Sequence, residues 1–476
     1  MVWPNNKEEA QAEVAYWFGA DWQYRKEITI NHSYVTEDVD GFVLLVSEAS
    51  DDDLRDNAQA DGGDIVFAAS DGVTELPYQF EKYDNATGEI VAWVKVPEIF
   101  GTTDTKVYMY YGNATCENQE DAEAVWTNGE AAVWHLEETG VSSRFDSTVN
   151  NNDGSPFGGI TNVAGMIENG NICDGNDDYV NFGNAESLNR SYITVSAWIN
   201  KSETDTFANF LDQDISNEHQ RHWQFRVDNS NKAGFIVFKS YTDYKVLTGT
   251  SDVADGDWHF ITGTWDGNTV KLYVDGLLED IEAYSGTLED ILSELVKLCM
   301  REGYYSEGMV DEARIYDRAI NAGNVYAQFV NQSTPSSFYS ISGAMEVDTT
   351  APENVSEVFG YSGSGKTIPI SFDSTYGYTA PYFEWEAPDE PDGVVAGYYV
   401  YFGTNVNADP VYDGVFQEGN SFIPSYLVSG QTYYLIITTR NLSPTNYLSD
   451  SKVFFIYEYI EDESEVYLTD LPKTGR

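Results

Sequence analysis

From Trp22 to about Asn113 the apolar residues fall into short runs that alternate with polar positions and stop at Asp, Gly, Asn or Thr. EITI (27–30), GFVLLV (41–46), DIVFAA (64–69), LPYQFEKY (76–83), EIVAWVKV (89–96) and KVYMYYG (106–112) each have the length and period of a strand. Six such runs at turn-punctuated spacing predict an all-β sandwich. The acidic stretch at Asp51, Asp52 and Asp53 between two runs reads as a solvated loop.

A Glu- and Ala-rich connector (114–130) leads into a second β-rich block over 131–330. Its strands include AAVWHLEE (131–138), YVNFG (179–183), ITVSAWIN (193–200), WQFRVDN (223–229) and AGFIVFKS (233–240). WHFITGTW and TVKLYV flank Asp266-Gly267-Asn268, and Asp275-Gly276 follows, both hairpin signals. Only two short helices are expected, near Leu288–Leu295 and Ala322–Val330, too little for βαβ units, so this block is predicted as a jelly-roll-like sandwich. The Ser/Thr-rich stretch 331–347 suits a linker. A third β unit spans 348–459 with YFEWEAP (382–388), GYYVYFG (397–403) and QTYYLIITTRN (431–441), before an acidic tail over 460–476. The fold class is therefore all-β: three consecutive β-sandwich domains, after an N-terminal extension of residues 1–20.

Composition narrows the partners. With 25 Lys+Arg against 79 Asp+Glu the formal charge is −54, which repels nucleic-acid phosphate and anionic headgroups alike. The 42% hydrophobic and 14% aromatic content supplies core material that a disordered acidic chain lacks. Acidity of this kind solvates an exposed surface, and a salt-loving host would select the same balance. Cys116, Cys173 and Cys299 are odd in number and widely spaced; they are expected to serve as small core hydrophobes. No run is long and apolar enough for a transmembrane span, and MVWPNNKEEAQAEVAYWF lacks the apolar h-region of a secretion signal.

Three stretches resemble known families. Asp21-Trp-Gln-Tyr-Arg-Lys26, DGGDIVFAASDG (61–72), TELPYQFEKYD, WVKVP and VYMYYGN resemble an uncharacterised β-domain of secreted prokaryotic surface proteins, for which no catalytic residue is known. The second block is similar to laminin-G-like members of the concanavalin A-type lectin/glucanase superfamily. The residues that carry this are VWHL (133–136), FDSTVNNNDGSP (145–156), DGNDDYVNFG (174–183), ITVSAWI (193–199), DGDWHFITGTWDG (255–267), VKLYVDG (270–276) and GMVDEARIYDRAI (308–320). Cys299 in VKLCMRE departs from that pattern. The opening DTTAPENV, Trp385 and SGQTYYLIITTRN resemble a fibronectin type III module. Finally, Leu471, Pro472, Thr474 and Gly475 of LPKTG match the signal by which sortase joins proteins to cell-wall peptidoglycan.

Catalytic chemistry is hard to place. Concanavalin-type glucanases carry E-x-D-x-x-E on a strand, so that alternate carboxylates flank the glycosidic bond. The nearest candidate, Glu289 to Glu294, has isoleucine in place of the central Asp and reads as helix. No G-x-S-x-G, H-E-x-x-H or phosphate-binding glycine loop occurs, and His219 and His222, a possible metal pair, are expected in an exposed loop or strand pair without catalytic role. Laminin-G-like folds often hold Ca²⁺ at a loop edge, and by resemblance Asp146, Asp178 and Asp311 are the candidate ligands; alternatively Asp311 pairs with Arg314 or Arg318 and Asp146 holds a turn. Trp223, Tyr241, Tyr244, Tyr304 and Tyr305 lie outside the obvious core strands and are the candidate sugar-stacking aromatics, whereas Trp134, Trp198, Trp258 and Trp265 sit in the family motifs and are expected in the core. Asn85-Ala-Thr87 and Asn331-Gln-Ser333 fit the N-glycosylation pattern, weak evidence in so Asn-rich a chain.

The sequence thus points to a non-catalytic, adhesin-like extracellular surface protein. Its laminin-G-like domain would bind a glycan or a matrix protein, with sortase and peptidoglycan as anchoring partners. Two alternatives stay open: a self-associating subunit of a surface layer or filament, and an accessory carbohydrate-binding fragment of a larger glycoside hydrolase.

Overall fold

The computed structural model describes residues 18–19, 21–202, 207–215, 220–288, 294–301, 303–346, 351–388, 395–441, 448–449 and 451–461. The sorting-signal residues Leu471, Pro472, Thr474 and Gly475, together with His219 and residues 289–293, lie outside the described residues. The fold is all-β, and the chain divides into two compact units, one running from Trp22 to Met345 and the other from Glu346 onward.

The first unit contains two sandwiches. In the smaller, the edge-to-edge order is Tyr339–Ile341, Tyr24–Ile30, Thr105–Tyr111, Val66–Ala68 and Glu75–Leu76, opposed by a three-stranded sheet of Val39–Glu48, Glu89–Ile99 and Tyr78–Asp84. The alternation of Tyr24–Ile30 explains its place: Ile28 and Ile30 point into the core while Glu27 and Thr29 stay on the wetter face.

The larger sandwich packs an eight-stranded sheet, centred on Ile193–Asn200, Glu307–Tyr316 and Trp258–Trp265, on a seven-stranded sheet running from Asp243–Asp252 to Ser155–Phe157. Every strand pair is antiparallel. Trp134, Trp265, Phe210, Phe225 and Phe235 fill the space between the sheets. Trp134, Trp198 and Trp265 are buried as expected, and Trp258 is partly so.

Two sequence expectations change here. Cys173 and Cys299 are buried, but as a disulfide rather than as free core thiols. Cys173 is the second-last residue of the strand Asn169–Asp174 of one sheet, and Cys299 follows Val296–Leu298 of the other, so the bond ties the two sheets together at one end. A separation of 126 residues gave no pairing signal in the sequence.

The segment 331–347 is not a free linker over its described part. The helix Ala322–Ser333 runs on through Asn331, and Tyr339–Ile341 then pairs with Tyr24–Ile30. Its polar residues satisfy buried backbone instead of facing water. Asn331 bonds Leu45 through both ends of its amide, and the Tyr339 hydroxyl bonds the N–H and C=O of Ser47. A shared core of Val43, Leu45, Trp93, Trp126, Val133 and Ile167 continues between the two sandwiches.

The second unit is a smaller sandwich. One sheet holds Pro369–Ile370, Val358–Tyr361, Tyr382–Trp385 and Ser421–Phe422; the other holds Ser374–Tyr376, Lys452–Tyr459, Gln431–Asn441, Val395–Gly403 and Val415–Gln417. Phe383, Trp385, Leu435, Phe455 and Tyr457 form its core, with Trp385 edge-on to Tyr398.

Candidate ligand-binding cavity

At one end of the larger sandwich a cavity of about 580 Å³ opens where Asn169–Asp174 and Ile193–Asn200 finish and Glu307–Tyr316 begins. Asp174, Asp178, Glu307, Asn200 and Lys201 bring polar groups to it, and Cys173 of the disulfide lies in its wall. The wall also needs glycine. Gly158 has φ +82°, and a Cβ there would stand 2.3 Å from the carbonyl oxygen of Asp177, so the two loops approach closely only with glycine at this position.

The loop DGNDD folds on its own side chains. Asp174 Oδ1 accepts from the N–H of Asn176 at 2.8 Å, its Oδ2 accepts from Asn176 Nδ2 at 2.9 Å, and the Asp174 N–H donates to Asp178 Oδ2 at 3.1 Å. The Asn176 hydrogen bonds hold the Asp174 carboxyl below its ordinary range. Burial, with the charges of Asp174 and Asp177, pushes Asp178 up. Carboxylate oxygens of Asp174, Asp177 and Asp178 lie within 4.8 Å of one another, the oxygen-rich set a hard cation takes.

Aromatic rings adjoin this cavity through the paired strands Ser155–Phe157 and Tyr179–Gly183. Phe157 directly precedes Gly158, and Tyr179 directly follows Asp178; the two residues are cross-strand partners. Their rings stack at 4.6 Å with an interplanar angle of 7°, and Tyr305 continues the series 6.1 Å from Tyr179. Phe157 is 44% exposed and Tyr304, on the hairpin Met300–Arg301/Tyr304–Tyr305, is 76% exposed. Partly exposed stacked rings beside carboxylate and amide groups can hold the apolar face of a sugar ring while its hydroxyls are hydrogen-bonded.

The structure thus brings Asp178, Tyr304 and Tyr305 to one end of the sandwich and distributes the other candidates. Tyr241 and Tyr244 are exposed at the turn between Lys232–Ser240 and Asp243–Asp252, where Tyr244 packs on Phe238. Trp223 is a correction: it is 0% exposed in the inter-sheet core, because the alternation of Gln220–Val227 turns it inward with Phe225. Asp146 holds a turn, with Oδ1 accepting from the N–H groups of Val133 and Thr148 and Oδ2 from those of Asn152 and the Thr148 hydroxyl.

Asp311 accepts from the N–H groups of Met166, Ile167 and Glu312 and pins a loop. Arg314 pairs with Glu312, and Arg318 donates to the carbonyl of Asn128, so neither expected Asp311 pair forms. Asp146, Asp178 and Asp311 do not form one cluster among the described residues. His222 is buried and bridges Gln213 and the carbonyl of Arg190, a structural role.

Sequence reasoning missed Phe157, Tyr179, Asp174 and Glu307. The Phe157-Gly158-Gly159 step beside the DGNDD loop was the one available signal.

Residues 174–326 match the family described as the concanavalin A-like lectin/glucanases superfamily, and residues 61–152 match a domain of unknown function, DUF2341. Both agree with the resemblances read from the sequence. No curated protein matches the chain.

Among solved structures, domain 4 of AbnA, a GH43 extracellular arabinanase from Geobacillus stearothermophilus in complex with arabinotriose, is 17% identical. That match covers 41% of this chain and 96% of that one, with a TM-score of 0.34. The binding domain of botulinum neurotoxin DC in complex with SialylT is 9% identical over 66% of this chain and 73% of that one (TM-score 0.37). The binding domain of Paraclostridial Mosquitocidal Protein 1 is 13% identical over 72% and 95% (TM-score 0.38).

Proposed function

We propose that the larger sandwich is a non-catalytic glycan-binding module of an extracellular surface protein, with its site at the cavity beside Phe157, Tyr179 and Tyr305. The observation that carries this reading is the partly exposed aromatic stack, ending in the exposed Phe157, that is continuous in sequence with a polar cavity. Three carboxylates, Asp174, Asp178 and Glu307, against Lys201 favour a neutral saccharide over a uronic or sialic acid. Ca²⁺ held by Asp174, Asp177 and Asp178 would order the loop next to the sugar. A buried disulfide suits an oxidising compartment outside the cell. In this reading the second unit is a fibronectin-like stalk and LPKTG the anchor that sortase joins to peptidoglycan.

A glycan array probed with the full chain in excess Ca²⁺ and in EDTA tests the proposal. Retention of neutral glycans, lost in Tyr179→Ala, supports it; an array without retained glycans in Ca²⁺ overturns it.

A structural subunit is the second reading, favoured by one observation. Asp243–Asp252 and Leu277–Ala283 are edge strands of their sheets, and Val246, Leu277, Leu278 and Ile281 are exposed there. Sedimentation at high protein concentration separates the two, since a strictly monomeric chain excludes the subunit.

A further inference from the structure

At the junction of the two sandwiches of the first unit, three side chains from separate stretches converge. Glu81 comes from Tyr78–Asp84 of the smaller sandwich, while His135, just after Glu130–Trp134, and Glu312, within Glu307–Tyr316, come from the larger. His135 Nδ1 lies 2.6 Å from Glu312 Oε1 and 3.4 Å from Glu81 Oε1. The outward atom of each group has a partner of its own. Trp93 Nε1 donates to Glu81 Oε2 at 2.8 Å, Arg314 donates to Glu312 Oε2 at 2.6 Å, and His135 Nε2 faces Gln79 Oε1 at 3.4 Å. Outer partners that fix the orientation of inner atoms are the usual surroundings of metal ligands.

A further observation points to a missing occupant. Glu81 Oε1 is buried without a hydrogen-bond partner, on a side chain 2% exposed and aimed at His135. Glu312 also takes φ +51°, next to the slip in register between Ser196 and Trp198 on the neighbouring strand. A bulge of this kind re-aims a side chain, here toward the junction.

We propose that Glu81, His135 and Glu312 bind a divalent transition cation of the zinc class, which staples the two sandwiches together. One imidazole and two carboxylates suit such an ion better than Ca²⁺, which prefers oxygen alone. Ligand atoms on a tetrahedral ion with bonds of about 2.0–2.2 Å stand about 3.4 Å apart. The Glu81 arm already has that spacing, and the Glu312 arm opens by less than about an ångström.

The test uses Zn²⁺ as the probe and the full chain, refolded from denaturant with and without it so that burial does not block entry. Metal content is then measured by mass spectrometry after gel filtration in excess Ca²⁺, which displaces cations held loosely by the acidic surface. About one retained Zn²⁺ per chain and a higher Tm are expected. Glu81→Gln, which keeps the side-chain shape, is expected to lower Zn²⁺ affinity at least about tenfold while retaining the circular dichroism of the fold. Asp177→Asn in the DGNDD loop is expected to leave the affinity unchanged. No retained Zn²⁺ after refolding, equal affinity in Glu81→Gln, or loss in Asp177→Asn instead would each overturn the site.

Discussion

The side-chain amide of Asn331 bonds both the N–H of Leu45, at 2.7 Å, and its C=O, at 3.0 Å, across 286 residues of sequence. Leu45 belongs to Val39–Glu48, an edge strand of its sheet, and the amide stands in for the neighbour that edge lacks. The helix of the larger domain therefore closes the smaller one.

Replacing Asn331 with leucine removes both bonds and leaves a buried N–H and C=O unpaired, at about 1–3 kcal/mol each. We expect the chain to unfold at lower denaturant, by about 2–4 kcal/mol, and residues 22–345 to unfold in one transition. Denaturant titration followed by tryptophan fluorescence checks this. A split of the transition of residues 22–345 into two, beyond any separate transition of the unit from Glu346 onward, would mean that the two sandwiches fold independently.

Reduction of Cys173–Cys299, or serine at both positions, opens a link between the sheets across 126 residues. A loss of about 2–4 kcal/mol is expected. Because Cys299 immediately precedes the hairpin carrying Tyr304 and Tyr305, glycan affinity should fall alongside stability. Calorimetry in the presence and absence of reductant measures the first effect, and titration with a retained glycan the second.

Alanine at Phe157 or Tyr179 removes a stacking face and should weaken a retained glycan by about tenfold, near 0.5–1.5 kcal/mol of aromatic contact plus lost area. Alanine at Tyr241 or Tyr244, away from the cavity, should leave affinity within twofold, or roughly 0.4 kcal/mol. Titration calorimetry on the four variants checks the contrast, and the opposite ranking would move the site to the other turn.

His259 lies between Asp275, 2.8 Å from Nδ1, and Asp255, 3.2 Å from Nε2, and the Asp275 hydrogen bond above all raises its pKa from 6.5 to about 9. A histidine raised by folding stabilises fully below its unfolded pKa, and that contribution is lost as pH climbs through the folded value. The Tm advantage of the native chain over His259→Asn should be largest below pH 6.5 and shrink as pH rises through about 9. Thermal melts at pH 6 and pH 10 check the sign.

The sequence alone determined the strands and the family resemblance of the central block. Their evidence is local: alternation, hairpin turns at Asp266-Gly267 and Asp275-Gly276, and motif strings such as GMVDEARIYDRAI. Asp178, singled out by resemblance, and Tyr304 and Tyr305, singled out for lying outside the obvious core strands, are the sequence candidates that the fold gathers at one end of the larger sandwich.

Tertiary structure decided the rest. Trp223 and the exposed tyrosines are alike as letters, and only the facing of Gln220–Val227 buries the tryptophan. Cys173 with Cys299, Asn331 with Leu45, and Glu81 with His135 and Glu312 are each joined by packing across long sequence separations. A polar residue is written the same way whether it meets water or a buried partner. Which of the two it meets is fixed by the sheet that folds over it, so the linker-like 331–341 became a clasp and the junction of two sandwiches a candidate metal centre.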